Sequence, residues 1–551
     1  MNRIFKFLCL AVLAVVPCSE TAGATASYNY AFAQSSPLAS GKWVKIYVDK
    51  TGVYELSYDQ LREMGFSDPR KVSVFGQGGL MSSHNFTDAR GTRLFEDSPS
   101  QLPVIYRDDR LYFYGSGPES LSFNGKKFVR NSLNIYSRDG VYLLTDSAVL
   151  LEMPEVSPGS GDGAVLRTDL YDYVYHEEDH LHGFSNTGQL YWDYDLNDSP
   201  RRTWNLELPY ARKDAYNFLD IVFLADTGGV GSVRYGVGKN TRTVGLKRQA
   251  PNAYLASNPD CMVNPDGTAE VVIEGLDLAG ELAGIDYWVF SYRKNLAESF
   301  DDAFVQERLA LPAVAASSVP DCVTVPEGAV VIDVTDPKAP FIVETQGSRA
   351  YFENNGKIRE LMVFNPGHEQ LVTDGRYSAI GNQDLHAVGT EGGDLLIICS
   401  DMMRPWGERI ADLHRKNDDM RVVVVTASEL YNEFTGGLPD PMAYRSMVKM
   451  MYQSPHPLTN VLFIGPLYGD MRNVTLRPDR APGLIGYQEA GVILTREAAN
   501  AMDYFGMAAD YINNIYDISQ MPVNVGVGVL PVYTSEEGWT AYNKIKEYME
   551  S

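Results

Sequence analysis

Between about residues 40 and 389, apolar and polar residues alternate in short runs that are separated by turn residues. Successive side chains of a strand point to opposite faces, so this period of two predicts β-strands with one buried face. The clearest runs are Trp43–Val48, Gly52–Ser57, Arg110–Gly115 and Gly140–Thr145. Residues 58–64 predict a short helix. Many short strands with frequent turns are typical of sandwich-like or barrel-like β domains.

After the glycines at 389–393 the pattern changes to continuous apolar runs that alternate with helical spacing. Strands buried on both faces and alternating with helices indicate a parallel sheet with helices on both sides. The predicted strands are Leu395–Cys399, 420–426, 460–465 and 523–529, and the predicted helices are 404–416, 443–452 and 540–549.

Two composition changes divide the chain. Residues 153–163 are rich in Pro, Gly and Ser, and residues 389–393 read GTEGG. Such stretches are typical of linkers or long loops. We therefore predict a mixed multi-domain protein, with β-rich N-terminal domains followed by an α/β domain. The predicted bounds are 1–26 for a signal peptide, 40–152 for an N-terminal β-rich domain, 163–390 for a second β-rich region and 393–551 for the α/β domain.

The first residues have the features of a secretory signal peptide. Arg3 and Lys6 precede an apolar run at 7–17, which is too short to span a bilayer, and small residues at 22–26 offer cleavage sites. Cys18 leaves a lipoprotein as an alternative, although Pro17 fits that motif poorly. Further along the chain, no stretch reaches 18 apolar residues. The sequence thus predicts export to the periplasm, outer membrane or cell surface.

Amino-acid composition and net charge argue against one class of function, nucleic-acid binding. Hydrophobic residues make up 44% of the 551 residues, enough to build several cores, and the net charge is −24. Nucleic-acid binding depends on clusters of Lys and Arg that neutralise phosphates, so this acidity argues against it. We attribute the acidity mainly to solubility.

One short motif suggests zinc chemistry. Residues 176–180 read HEEDH, and His182 follows, so three of the eight histidines are grouped here. In zinc peptidases this pattern lies on a helix, which places both imidazoles on one face. The preceding residues alternate like a strand and the following ones contain Gly, Asn and Gly. We therefore predict a polar loop and no metal site.

The cysteines and remaining histidines do not suggest a catalytic pair. Cys261 and Cys322 leave a disulfide open, since sequence does not give their distance. Cys399 ends an apolar strand and is predicted to act as a small buried hydrophobe. His414 follows on the next helix, where its imidazole would lie along the flank of the sheet. The other histidines are predicted to be surface residues: His84, His368, His386 and His456.

Two further patterns were weighed as ligand sites. Runs of carboxylates at 108–109, 177–179 and 418–419 leave calcium binding open, but solvated loops account for them more simply. Residues 75–79 read FGQGG, which lacks the Lys-Ser/Thr of a P-loop, so a tight turn is expected. No cofactor or metal ligand is assigned.

Several segments, in order, resemble the PorU-like sortase group of type IX secretion and the gingipain-type cysteine peptidases, peptidase family C25. In the β part they are GKWVKI at 41–46, KTGVYEL at 50–56, VFGQGG at 74–79, YHEED at 175–179 and VIDVTDP at 331–337. In the α/β part they are DLLIIC at 394–399, VVVT at 423–426, ELYNEF at 429–434, DP at 440–441, DYFG at 503–506 and GVLP at 528–531.

The resemblance implies a caspase-like fold, a Cys nucleophile with a His base, and removal of C-terminal sorting signals from secreted cargo. In the family that pair follows the segments at 503–506 and 528–531, whereas this sequence has no Cys after Cys399 and no His after His456. The expectation is therefore a chain that holds only the N-terminal portion and no catalytic residue, and that is inactive alone. Its expected partners are secreted cargo, secretion components or a separately encoded C-terminal half. A non-catalytic surface binding or scaffold protein is the alternative.

An incomplete α/β layer would also leave part of its sheet uncovered. We therefore expect an exposed apolar edge or face in the C-terminal domain.

Overall fold

The computed structural model describes residues 29–158, 163–177, 182–183, 191–192, 196, 199–208, 210–225, 230–246, 252–279, 283–295, 300, 304–468, 493–494, 501–512 and 522–551. Within these ranges the chain forms β-rich units and one C-terminal α/β unit. The predicted fold class is confirmed. The predicted signal peptide lies outside the described residues.

The first unit is β-rich and contains one short helix. Its elements are β1 (Trp43–Val48), β2 (Gly52–Ser57), α1 (Tyr58–Glu63), β3 (Ser73–Gly78), β4 (Gln101–Leu102), β5 (Ile105–Arg107), β6 (Arg110–Gly115), β7 (Glu119–Phe123), β8 (Phe128–Leu133) and β9 (Gly140–Thr145). Helix α1 begins where predicted because Ser57 and Gln60 form a capping box.

In the middle of the chain the described regular elements are strands, apart from one 3₁₀ helix at Glu369–Leu371. These strands are β10 (Glu155–Val156), β11 (Val165–Leu166), β12 (Asp169–Glu177), β13 (His182–Gly183), β14 (Tyr191–Trp192), β15 (Arg201–Glu207), β16 (Asn217–Ala225), β17 (Val230–Val237), β18 (Asn240–Leu246), β19 (Asn252–Cys261), β20 (Thr268–Ala279), β21 (Ala283–Asn295), β22 (Gln306–Leu311), β23 (Asp321–Thr324), β24 (Val330–Asp333), β25 (Phe341–Val343), β26 (Thr345–Gln346), β27 (Arg349–Phe352), β28 (Arg359–Phe364) and β29 (Tyr377–Ile380).

Strand pairing links these two parts. The largest sheet has nine strands in the order β10-β25-β24-β28-β22-β12-β21-β16-β19, and a four-stranded sheet of β15-β20-β17-β18 shares a core with part of it. A five-stranded sheet has the order β29-β1-β9-β3-β4, so a strand from residue 377 onward completes the sheet that begins at Trp43. The domain bounds given above remain a prediction.

The C-terminal unit alternates helices and strands. Its elements are α2 (Leu385–Glu391), β30 (Leu395–Cys399), α3 (Arg404–Asn417), β31 (Val422–Thr426), α4 (Ala427–Phe434), α5 (Met442–Tyr452), β32 (Asn460–Ile464), β33 (Leu467–Tyr468), β34 (Ile493–Leu494), β35 (Gly526–Leu530) and α6 (Ser535–Glu550). Among the described helices, none is both long and apolar enough to cross a bilayer.

Four of these strands form a parallel sheet in the order β31-β30-β32-β35. Alternate residues of β30 face two different cores. Leu396 and Ile398 pack toward α4 and α5, whereas Ile397 and Cys399 pack toward α3 and α6. A strand buried on both faces explains the uninterrupted apolar run that predicted it.

The core on the α4–α5 side is completed by residues from the beginning of the chain. Tyr30, Phe86, Phe95 and Tyr136 are buried there with residues of α4, α5 and β32. The α/β unit therefore does not close its own core, because side chains more than 250 positions away in sequence supply part of it.

Candidate functional site

The carboxyl edge of the parallel sheet is the first place to look for a site. The chain leaves β30 toward β31 on one side and later returns to β32 on the other side of β30. In open α/β sheets, ligands bind outside the carboxyl ends of the strands at such a change of direction. The residues that follow β30 and β31 therefore define the candidate edge.

Polar side chains at this edge bond mainly to one another. Ser428 donates a hydrogen bond to Asp401, and Arg404 Nη1 lies 2.5 Å from Glu429 Oε1. Thr426 caps α4 by accepting from the amide of Glu429, whose carboxylate returns to the Thr426 amide at 2.8 Å. These bonds hold the loops after β30 and β31 together and leave no nucleophile–base pair among them.

Cys399 lies at this edge but its thiol faces into the protein. The side chain is fully buried, and Sγ lies so close to α3 that a Cβ on Gly407 would be 2.3 Å from it. Burial raises the pKa of the Cys399 thiol to about 12, against the smaller opposing effect of the Arg404 charge. Because the thiolate is the nucleophilic form, burial and the raised pKa both disfavour nucleophilic attack by Cys399.

His414 does not approach that thiol. It lies seven residues beyond Gly407 on α3, which corresponds to about 10 Å along a helix. Its Nδ1 is 2.7 Å from Asp418 Oδ2 in a half-exposed pair at the end of the helix. In this structure the His414 imidazole therefore pairs with Asp418 and does not contact the Cys399 thiol.

The other two described cysteines are also buried and free. Burial raises the pKa of Cys261 to about 12 and also raises the pKa of Cys322. The disulfide that the sequence left open is not formed in this structure. Cys261 lies in an apolar core, whereas Cys322 is buried on β23 beside the charged side chains of Asp321 and Arg349.

His386 is the exception among the histidines that were expected at the surface. It is fully buried, its Nδ1 lies 2.7 Å from Glu433 Oε1, and its Nε2 lies 3.4 Å from Asp97 Oδ2. Although burial lowers its pKa, the bonds and charges of Asp97 and Glu433 raise it to about 9 overall. The surface prediction for His386 is wrong, because a charged imidazole here pairs with two buried carboxylates.

Sequence reasoning missed this cluster for a physical reason. Glu433 is 47 positions away on α4, and Asp97 belongs to a loop of the first unit. No spacing rule connects residues so far apart. The only local signal is Asp384, which caps α2 by accepting a hydrogen bond from the amide of Ala387 and so places His386 in the first turn.

The first two residues of the zinc-like motif lie at the end of a strand and not in the predicted loop. His176 and Glu177 belong to β12, and His176 packs against the rings of Trp204 and Trp288 at 5.1 and 5.3 Å between centroids. His180 lies outside the described residues. No group of metal-ligating side chains is present in the part of the chain that the structure describes.

The described residues of the carboxylate runs lie at a hairpin turn and at a helix end. Asp108 and Asp109 both have positive φ, 51° and 57°, and connect β5 to β6 as a two-residue hairpin turn. Asp419 has a φ of 55° just after α3, and Asp418 pairs with His414. Residues 178 and 179 lie outside the described residues.

Comparison with known proteins defines the class. Residues 389–551 match the model of peptidase family C25, which covers the α/β unit from α2 to the end of α6. The match confirms that this region resembles peptidase family C25, as the sequence segments suggested.

Among solved structures, the chain is similar to dimeric latent PorU from Porphyromonas gingivalis. The identity is 24% and the TM-score is 0.77, over 93% of this chain and 50% of that one. The fold is thus PorU-like, and the chain spans half the length of the PorU chain that it matches. A cycloalternan-forming enzyme from Listeria monocytogenes matches at 10% identity and a TM-score of 0.15, over 44% of this chain and 22% of that one. A match this weak does not indicate a shared fold. No curated protein matches the sequence.

Proposed function

We propose that this chain serves type IX secretion as part of a PorU-like cysteine peptidase system that removes C-terminal sorting signals from secreted cargo. The family C25 match and the PorU-like fold support this role. Export to the periplasm, outer membrane or cell surface, as the sequence predicts, belongs to the same proposal. Secreted cargo and other secretion components are its partners.

We further propose that the chain by itself cleaves nothing. The supporting observation is that all three described thiols are buried and have raised pKa values. A cysteine peptidase needs an accessible thiolate next to a base. Peptide-bond cleavage in the system then depends on a Cys–His pair from another polypeptide segment.

The test is a peptidase assay of the purified chain on a peptide that carries a sorting-signal junction. We expect no cleavage that a thiol alkylating reagent inhibits, and no difference between the wild type and Cys399→Ala. Cleavage that Cys399→Ala abolishes would overturn the proposal.

We propose that the open edge of the parallel sheet is the place where a further polypeptide segment that carries the Cys–His pair docks. β35 is the last strand of that sheet, and among the described residues no strand pairs with its outer side. Val527, Gly528, Val529 and Leu530 are only half-buried. Helix α6 beside it buries a single residue, Gly538, and Tyr533 and Trp539 are about half exposed. These features agree with the exposed apolar edge that the sequence predicts.

The backbone of β35 shows which groups are free to pair. The Gly526 amide donates to Thr459, and the Leu530 carbonyl accepts from the Gly465 amide, both toward the inner side. Because strand residues alternate, Val527 and Val529 direct their N–H and C=O groups outward. An added strand would bond to these two residues.

The docking experiment uses the second half of a PorU-type chain, supplied as a separate polypeptide. We expect it to bind the wild-type chain and restore thiol-dependent cleavage. Val529→Pro, which removes an outward N–H, should weaken binding at least tenfold with little loss of stability. Gly528→Pro is the matched control, since it removes an inward N–H and should destabilise the sheet itself. Equal binding by Val529→Pro would exclude this edge.

The alternative is a non-catalytic scaffold that holds cargo. The buried thiols and the open edge of β35 also suit that role. It predicts that the chain alone binds a sorting-signal peptide, and that adding the second half of a PorU-type chain produces neither a complex nor cleavage.

A further inference from the structure

The first described segment, residues 29–36, crosses from the β-rich unit to the α/β unit; we call it the strap. Its sequence is NYAFAQSS, with no charged side chain. Three carboxylates from distant parts of the chain accept hydrogen bonds from its backbone amides. They are Asp510, which accepts from Asn29 at 2.7 Å and Tyr30 at 3.2 Å, Asp97, which accepts from Ala33 at 2.6 Å, and Asp384, which accepts from Ser36 at 2.9 Å.

Aromatic contacts anchor the strap between these carboxylates. The Tyr30 ring is 6% exposed and lies 4.9 Å from the Phe86 ring, with the Arg93 guanidinium 4.6 Å from its centre. The Tyr30 hydroxyl donates to the Phe95 carbonyl at 2.8 Å. Phe32 packs on the edge of Phe86 at 5.7 Å. The strap is therefore held in place both by its backbone amides and by the rings of Tyr30 and Phe32.

The carboxylates are held in position by groups outside the strap. Lys449 Nζ lies 2.6 Å from Asp510 Oδ1, and Asp384 also caps α2. Arg93 and His386 pair with Asp97. Glu433 faces His386 from the other side and accepts from its backbone amide at 3.0 Å. Lys449, Arg93 and His386 therefore balance part of the negative charge of these carboxylates, and Arg93 also contacts the strap at the Ala31 carbonyl and the Tyr30 ring.

We propose that this groove is a peptide-binding site for an extended, uncharged aromatic segment, with the strap as its resident ligand. Backbone amides give the affinity, because each meets a fixed carboxylate, and the Tyr30 and Phe32 positions give the selectivity. This inference is independent of the proposed role in secretion.

The end of the strap offers a place to open the chain. A short turn at Pro37–Ala39 follows it, Leu38 is buried, and Ala39, Ser40 and Gly41 are exposed. A protease site inserted between Ala39 and Ser40 in the full chain would separate the strap with its Leu38 anchor and leave the rest intact.

The experiment measures binding of a fluorescein-labelled peptide of residues 29–39 by anisotropy. We expect saturable binding to the cut chain after its own segment has been exchanged, and none to the uncut chain. A peptide with Tyr30→Ala should bind at least tenfold more weakly, whereas Gln34→Ala, at an exposed position, should bind like the unmodified peptide.

Three results would overturn the proposal. They are a cut chain that never exchanges its own segment, a vacated groove that does not rebind the peptide, and equal binding of the Tyr30→Ala peptide. In the comparison of the unmodified and Tyr30→Ala peptides only the peptides differ, so misfolding of the protein cannot explain that result.

Discussion

Single residues decide whether the helix α3 can lie against its sheet, and Gly407 shows this most directly. A Cβ at this position would lie 2.3 Å from Cys399 Sγ and 3.3 Å from Val424 Cγ1. Alanine would otherwise favour a helix by about 1 kcal/mol over glycine. Close packing therefore outweighs helix propensity at this position. Glycine is needed here because the buried thiol of Cys399 leaves no room for a Cβ.

We expect Gly407→Ala to lower the free energy of unfolding by about 1–3 kcal/mol, because the added methyl group overpacks the core. The measurement is urea unfolding. In a Cys399→Ala background the sulfur is absent, so the same substitution should cost less, and the double-mutant cycle should show coupling. Equal costs in both backgrounds would mean that the thiol is not the obstacle.

A second residue-scale prediction concerns Glu307 and pH. Burial, helped by the charge of Asp172 and opposed by Lys294, raises the pKa of Glu307 to about 7. Lys294 contacts both carboxylates, at 3.2 Å for Asp172. The native state therefore holds a proton that the unfolded chain has lost, and stability falls as the pH rises from about 4.5 through 7.

Glu307→Gln should remove this fall, because the amide does not titrate. Between pH 4.5 and 7.5 we expect the free energy of unfolding of the wild type to fall by roughly 2–3 kcal/mol more than that of Glu307→Gln. Thermal melts across this range measure the difference. The exposed Glu327→Gln is the control and should follow the wild type. A variant as pH-sensitive as the wild type would place the titrating group elsewhere.

At the scale of elements, sequence patterns predicted the strands of the parallel sheet well and the short helices less well. The structure has the strand Leu395–Cys399 at the predicted residues. The helix predicted at 404–416 ends one residue later, at Asn417. Helix α4 was missed because eight residues directly after a strand show little periodicity. Its capping box, Thr426 with Glu429, was the available signal. The paired carboxylates of His386 could not be predicted, since tertiary contacts alone bring them together.

Trp539 makes an aromatic contact between the last helix and α3, beside the packing of Ala541, Tyr542 and Ile545 on the same core. Trp539 of α6 meets Trp406 of α3 edge-to-face at 4.6 Å, and the Arg409 guanidinium lies 4.7 and 4.9 Å from the two rings. Gly538 permits this approach, as a Cβ there would be 2.7 Å from the Trp406 ring nitrogen.

Trp539→Ala should therefore loosen α6 from the sheet at a cost of about 1–3 kcal/mol, since an aromatic pair and a cation–π contact are lost together. Amide exchange along Ser535–Glu550 measures the loosening. Tyr548→Ala, which removes a 68% exposed ring from the same helix, should leave exchange unchanged. Similar amide exchange in the two variants would mean that contacts other than those of Trp539 hold α6 against the sheet.

At the scale of the whole molecule, the start of the chain and the α/β unit form one packed body around Arg445. This residue of α5 is fully buried, and its guanidinium donates to the carbonyls of His84 at 2.7 Å, Met507 at 3.1 Å and Ala509 at 2.5 Å. The rings of Phe86 and Tyr504 each lie 4.8 Å from it. A planar group with five donors can satisfy several carbonyls at once, which a lysine cannot do.

Arg445→Met should keep the volume but leave buried carbonyls without donors, so we expect a loss of at least about 3 kcal/mol. Because the partners lie in both the first unit and the α/β unit, amide exchange should rise together at residues 84–95 and 504–510, and the two parts should still unfold in one transition at lower urea. Arg445→Lys should be intermediate, and the exposed Arg90→Met should behave like the wild type. Increased exchange confined to α5 would show that the two parts are coupled by contacts other than this guanidinium.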